Sequence, residues 1–129
     1  MEDFVNYEIA VKLKENGFND KCHAYYEPLK HCLNFSRVFG TNSLAENYKC
    51  VSAPTIEQVL KWLRNNKKTM LSILPVAFNE KENKFNQYYC TIYYATEEFI
   101  FENHERPGTF NTYEECALEA IEYIIDNLI

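Results

Sequence analysis

Apolar residues recur at helical spacing in three stretches of the chain and at extended, alternating spacing in most of the rest, and these two periods lay out its elements. The clearest helix follows Pro54. Ile56, Val59, Leu60 and Leu63 fall at i, i+3, i+4 and i+7, with the single tryptophan, Trp62, at the edge of the stripe. Thr55 stands where its hydroxyl caps the first turn, Gln58 is placed to reach back to the Thr55 amide, and Pro54 keeps the preceding chain out of the helix. At roughly 1.5 to 3 kcal/mol for each large apolar side chain buried, this face is a principal source of stability, and Trp62 is expected to be buried with it. A shorter helix is predicted from Asn6, its cap, to Gly17, with Ile9, Ala10 and Leu13 inward and Phe18 folding back onto Leu13. A last helix starts at a second capping box, Thr112–Glu115. Its inner stripe is Tyr113, Ala117, Ala120, Ile121, Ile124 and Leu128, flanked by Cys116 and Ile125, and its outer side is acidic.

Between the helices the pattern turns to strands. Cys22 to Glu27 and Lys30 to Phe35 form a predicted hairpin around Pro28-Leu29. Ser36 to Glu46 shows neither period and is expected to be a surface loop, followed by a short extended piece, Tyr48 to Val51. Thr69 to Phe78 is apolar and extended, but Pro75 cannot donate to a ladder, so this strand belongs at an edge or breaks there. Asn79 to Lys84 is polar and connecting. Phe85 to Tyr94 and Glu97 to Glu102 make the best strand pair. Pairing Tyr94 with Glu97 sets Ile92 opposite Phe99 and Cys90 opposite Phe101 on one face; the other face pairs Tyr93 with Glu98, Thr91 with Ile100 and Tyr89 with Glu102. His104 to Asn111 is a loop. The expected fold is a single α+β domain spanning 1–129, two-layered, with helices on one face of an antiparallel sheet in the order α-β-β-α-β-β-β-α.

Composition narrows the classes. The 129 residues suffice for a core without metal or disulfide, and 47% hydrophobic content with three glycines excludes disordered and fibrous chains. Ten tyrosines and nine phenylalanines are concentrated in the extended segments, as a half-buried pleated surface favours. The net charge of −6 repels phosphate backbones. No basic-then-apolar leader or apolar stretch near membrane-spanning length is visible, so a cytoplasmic location without membrane contact is expected. The five cysteines are widely spaced and lack a C-x-x-C, which reads as small apolar residues in a reducing compartment.

Ser52-Ala-Pro-Thr55, Lys61-Trp62-Leu63-Arg64, and the ending Tyr113-Glu-Glu-Cys-Ala-Leu-Glu-Ala-Ile-Glu-Tyr-Ile-Ile-Asp-Asn-Leu-Ile resemble a family of short uncharacterised proteins of gut anaerobes and of their phages and mobile elements. Tyr7-Glu-Ile-Ala and Lys14-Glu-Asn-Gly-Phe18 fit the same pattern. The resemblance implies a small intracellular accessory protein, carried on mobile DNA. It brings no assigned activity, so no functional residue is carried over.

Chemistry is sparse. Cys22-His23 and His31-Cys32 are metal-ligand types, but neighbours in a strand point to opposite faces, so the hairpin gathers only two per side and no metal is expected. No nucleophile beside a base and no phosphate-cradling glycine loop is present, and no cofactor is expected. His104, in a loop near Glu102, Glu105 and Arg106, is a weak catalytic candidate. Lys61, Arg64, Lys67 and Lys68 gather at the outer side and end of the central helix. They fit the helix dipole and hydration, or, joined to Tyr89 and Tyr93, a single-strand nucleic-acid surface. The face carrying Tyr89, Thr91, Tyr93 and Ile100 has no helix assigned to cover it and is the candidate interface, for self-association or a protein partner, unless the Ser36–Glu46 loop folds over it. A non-catalytic protein-binding module is therefore the expectation. The alternatives are a single-stranded nucleic-acid-binding protein and an enzyme with a site assembled from scattered residues.

Overall fold

A computed structural model describes residues 3–27, 32–42, 50–94, 97–101 and 110–129. The elements follow in the order α1 (Tyr7–Glu15), β1 (Cys22–Tyr26), β2 (Leu33–Gly40), β3 (Val51–Ser52), α2 (Ile56–Asn66), β4 (Thr69–Asn79), β5 (Lys84–Tyr94), β6 (Glu97–Phe101) and α3 (Tyr113–Asn127). The α+β class and the alternation of helices with strands are as expected. The strands form two three-stranded antiparallel sheets, β2-β1-β3 and β4-β5-β6. Backbone packing divides the chain into two compact units, Met1–Val59 with Ile129 and Leu60–Leu128, the division falling inside α2.

In the first unit α1 is delimited at both ends by its own sequence. Asn6 Oδ1 accepts the Ile9 N–H at 2.9 Å, supplying one of the partners that a first turn lacks. At the other end Gly17 takes φ 92°, the left-handed region that its missing side chain permits. The Phe18 N–H then reaches the Leu13 carbonyl at 2.9 Å and the Gly17 N–H reaches Lys14 at 3.1 Å, the double bond of a Schellman stop. Ile9, Ala10, Leu13 and Phe18 are all buried.

β1 lies between its two neighbours, pairing Tyr25 with Asn34 in β2 and with Ser52 in β3. β2 runs on to Gly40, so Ser36–Gly40 is strand where a loop was expected. The register shifts between Cys22 and Ala24, and such an irregularity breaks the alternation that would otherwise have marked the strand. Asn42, also within the expected surface loop, is buried. Its Nδ2 donates to the Phe18 carbonyl at 2.7 Å and its Oδ1 accepts the Ser52 N–H at 2.9 Å. The Pro28-Leu29 turn and residues 43–49 lie outside the described residues.

Entry into α2 follows the capping box. The Gln58 N–H donates to Thr55 Oγ1 at 3.2 Å and the Thr55 N–H donates to Gln58 Oε1 at 2.9 Å. Ile56, Val59, Leu60 and Leu63 are buried, and Trp62 with them at 4% exposure.

In the second unit β5 is central. Its pairing with β6 sets Tyr94 against Glu97, Tyr93 against Glu98, Ile92 against Phe99, Thr91 against Ile100 and Cys90 against Phe101, the register expected from alternation; Glu102 lies outside the described residues. β4 pairs on the other side from Thr69–Tyr94 to Asn79–Lys84 and passes through Pro75 without ending. The proline is tolerated because of where its nitrogen points. Tyr88, its cross-strand neighbour, donates to and accepts from Phe110 at 2.7 and 2.9 Å. Both polar groups of Tyr88 therefore face away from β4, Pro75 sits in a non-bonded pair, and its nitrogen is directed at the outer edge. α3 packs on β4 and β5. Cys116, Ala117, Ala120, Ile121, Ile124 and Ile125 are buried on its inner side, and Tyr113 meets Tyr88 edge to face at 6.2 Å. Thr112 Oγ1 caps this helix by accepting the Glu115 N–H at 3.1 Å.

Two substitutions test these joints by urea denaturation. Thr55→Ala should lower stability by about 0.5 to 2 kcal/mol through loss of the cap. Asn42→Ala should lower it by about 1 to 3 kcal/mol, because a carbonyl and an amide are left unpaired in the interior.

Candidate functional site

Alternation along β4 and β5 sends one set of side chains toward α3 and the other set to the opposite face of the sheet. The α3 side takes Cys90 and Ile92, both fully buried. The opposite side receives Met70, Ser72, Leu74, Val76 and Phe78 from β4, and Phe85, Tyr89, Thr91 and Tyr93 from β5, by the observed register. Met70, Leu74, Val76, Phe78 and Phe85 are each 45–55% exposed and Tyr93 is 38% exposed. Phe78 and Phe85 pair across the strands, ring centroids 5.2 Å apart and planes at 66°. Just beyond them the turn is held by Asn79 Oδ1, which accepts the Lys81 and Glu82 N–H groups at 3.0 and 3.3 Å.

The sequence-predicted face is thus part of a larger surface. Tyr93 is exposed, Tyr89 half-buried and Thr91 buried, while Ile100 stands opposite Thr91 in β6. The β4 residues and Phe85 add most of the apolar area. Their signal was present in the sequence as a pairing of Phe78 with Phe85 across a short polar turn, which fixes the face of every other residue in the hairpin.

The four basic residues differ in their settings. Lys61 and Arg64 are exposed on α2 and Lys68 is exposed beyond its end at φ 51°. Lys67 is half-buried, its Nζ 5.5 Å from the centroid of the Trp62 ring, so its charge is already directed onto an aromatic face.

Of the metal-ligand types, Cys22 is buried while His23 is exposed, as opposite faces of one strand require, and Cys32 is exposed; His31 and His104 lie outside the described residues. Burial, with Asp20 nearby, pushes the Cys22 thiol up to about 12. Cys90 and Cys116 meet between β5 and α3, both fully buried, and their mutual hydrogen bond together with burial holds the Cys90 thiol above the ordinary range. Among the described residues no group of three or more histidine, cysteine or acidic side chains could hold a metal ion, and no helix is long and apolar enough to cross a membrane.

Neither family models, nor curated proteins, nor solved structures gave a match to this chain.

The thiol environments can be checked by alkylation with iodoacetamide and mass spectrometry. Cys32 should react in the native protein, whereas Cys22, Cys90 and Cys116 should react only after unfolding. Folding raises the Cys22 pKa, so the unfolded chain ionises first and stability contributed by the neutral thiol is lost as pH rises from 9.0 to about 12. Cys22→Ala should make that alkaline decline shallower.

Proposed function

We propose that the protein is a non-catalytic protein-binding module whose docking surface is the open face of the β4-β5-β6 sheet. The observation that supports this is the row of six large apolar side chains, each more than a third exposed, on one side of one sheet. Scattered exposed apolar residues are ordinary, whereas a contiguous set marks a surface that gains by being covered. Phenylalanine, tyrosine and methionine are also the residue types enriched in protein interfaces, because they offer large area with few rotatable bonds or adaptable shape. β4 and β5 place no charged side chain among these positions, and Glu98, opposite Tyr93 in β6, stands at one border, so the contact made over β4 and β5 is apolar rather than ionic. A single-strand nucleic-acid surface is less well supported: the net charge is −6 and Lys67 lies over Trp62. The accessory role implied by the family resemblance fits a small binding module.

The test compares the two faces of the same sheet. Leu74→Thr and Val76→Thr keep strand propensity and remove apolar surface, and each should change stability by less than about 1 kcal/mol. Ile92→Ala, on the α3 side, should lower it by about 2 to 5 kcal/mol. Large losses from Leu74→Thr and Val76→Thr would show that the open face is core, and the binding reading would fail.

A further inference from the structure

We infer that the occupant of this face is a second copy of the chain, stacked sheet on sheet in a two-fold dimer; this rests on the reading of the face as a docking surface. Three observations point to a copy of the chain. The face is self-complementary in chemistry: the β4 and β5 positions on it are apolar or neutral, so two copies can meet over these two strands without removing an ion from water, and Glu98, opposite Tyr93, shares the face only at its β6 border. The area is sufficient. With a whole aromatic side chain presenting on the order of 150 to 250 Å², six large residues near half exposure offer on the order of 500 Å² per copy, so two copies reach the roughly 1,000 Å² at which specific association begins. The third observation concerns the edges, which disfavour the competing geometry of strand addition. Pro75 removes a donor from the middle of the outer edge of β4, and β6 is only five residues long and begins with Glu97-Glu98. Face-to-face stacking of antiparallel sheets, about 10 Å apart with interdigitated side chains, uses the face and leaves both edges untouched.

An interface of this size predicts a dimer that dissociates in the micromolar range, because buried area near the lower limit leaves little surplus after the loss of rotational and translational freedom. Sedimentation of the whole chain over a range of concentrations should show a reversible monomer–dimer equilibrium. Val76→Lys and Met70→Lys, each solvated in the monomer, should weaken it by about a hundredfold or more by burying an unpaired charge at the contact. Glu119→Gln, on the exposed side of α3, makes the same change in net charge as either lysine variant and should leave the equilibrium unchanged. A wild-type chain that is folded and monomeric at all concentrations would overturn self-association, and the docking reading would then stand or fall on Leu74→Thr and Val76→Thr. Dimers that persist equally in Val76→Lys and Met70→Lys would also overturn it, by placing the contact on another surface.

Discussion

Buried backbone must find hydrogen-bond partners, and the segment Val51 to Ile56 meets that demand by reaching a different part of the first unit at almost every residue. Val51, Ser52, Ala53 and Pro54 are all buried. The Ser52 N–H goes to Asn42 Oδ1, the Ala53 N–H to Ala24, the Pro54 carbonyl accepts from Val5, and the Ile56 N–H reaches Asp3. Gln58, which closes the capping box with its Oε1, uses its Nε2 on the Lys21 carbonyl at 3.0 Å. One short stretch therefore ties the N-terminal chain, β1 and the segment after β2 to the start of α2. No long strand is needed, since β3 is only two residues. The same demand shapes the second unit, where Tyr88 commits both backbone groups to Phe110 and so leaves Pro75 in a pair that makes no ladder bond.

What could be read from the sequence is what short range decides. The caps at Asn6 and Thr55, the glycine stop at Gly17 and the apolar stripes depend on residues three or four positions apart, and each is where its spacing puts it. The β5–β6 register was legible for a related reason: a two-residue connection leaves few pairings, and this one sets the apolar Cys90 and Ile92 against the apolar Phe101 and Phe99. The division into two sheets was not legible. It depends on Tyr25 pairing with Ser52, twenty-seven positions later, through a strand too short to carry a period. Asn42 was hidden because a buried asparagine and a loop asparagine look alike until the carbonyl of Phe18 is in place.

β4 shows a different limit. Its run Thr-Met-Leu-Ser-Ile-Leu-Pro-Val-Ala-Phe is apolar at both parities, the pattern of a strand buried on two faces. Yet only one parity is directed toward α3, and Met70, Leu74, Val76 and Phe78 are left about half in water. The composition of the strand was plain, but its consequence needed the hairpin register.

That surplus of apolar surface is what gives the open face more functional weight than the other candidates. Each alternative feature has a structural account: Lys67 covers Trp62, basic residues suit the C-terminal end of α2, and Cys22, Cys90 and Cys116 fill core positions. Fold alone gives no comparable account of Val76 and Phe85, because threonine or lysine at half-exposed strand positions would keep the ladder and lessen the risk of association. The edge is protected by Pro75 while the face is not. A chain that blunts one route to association and leaves the other apolar has the pattern expected of a surface meant to be covered, by a partner that meets the sheet face-on rather than by another strand at its edge.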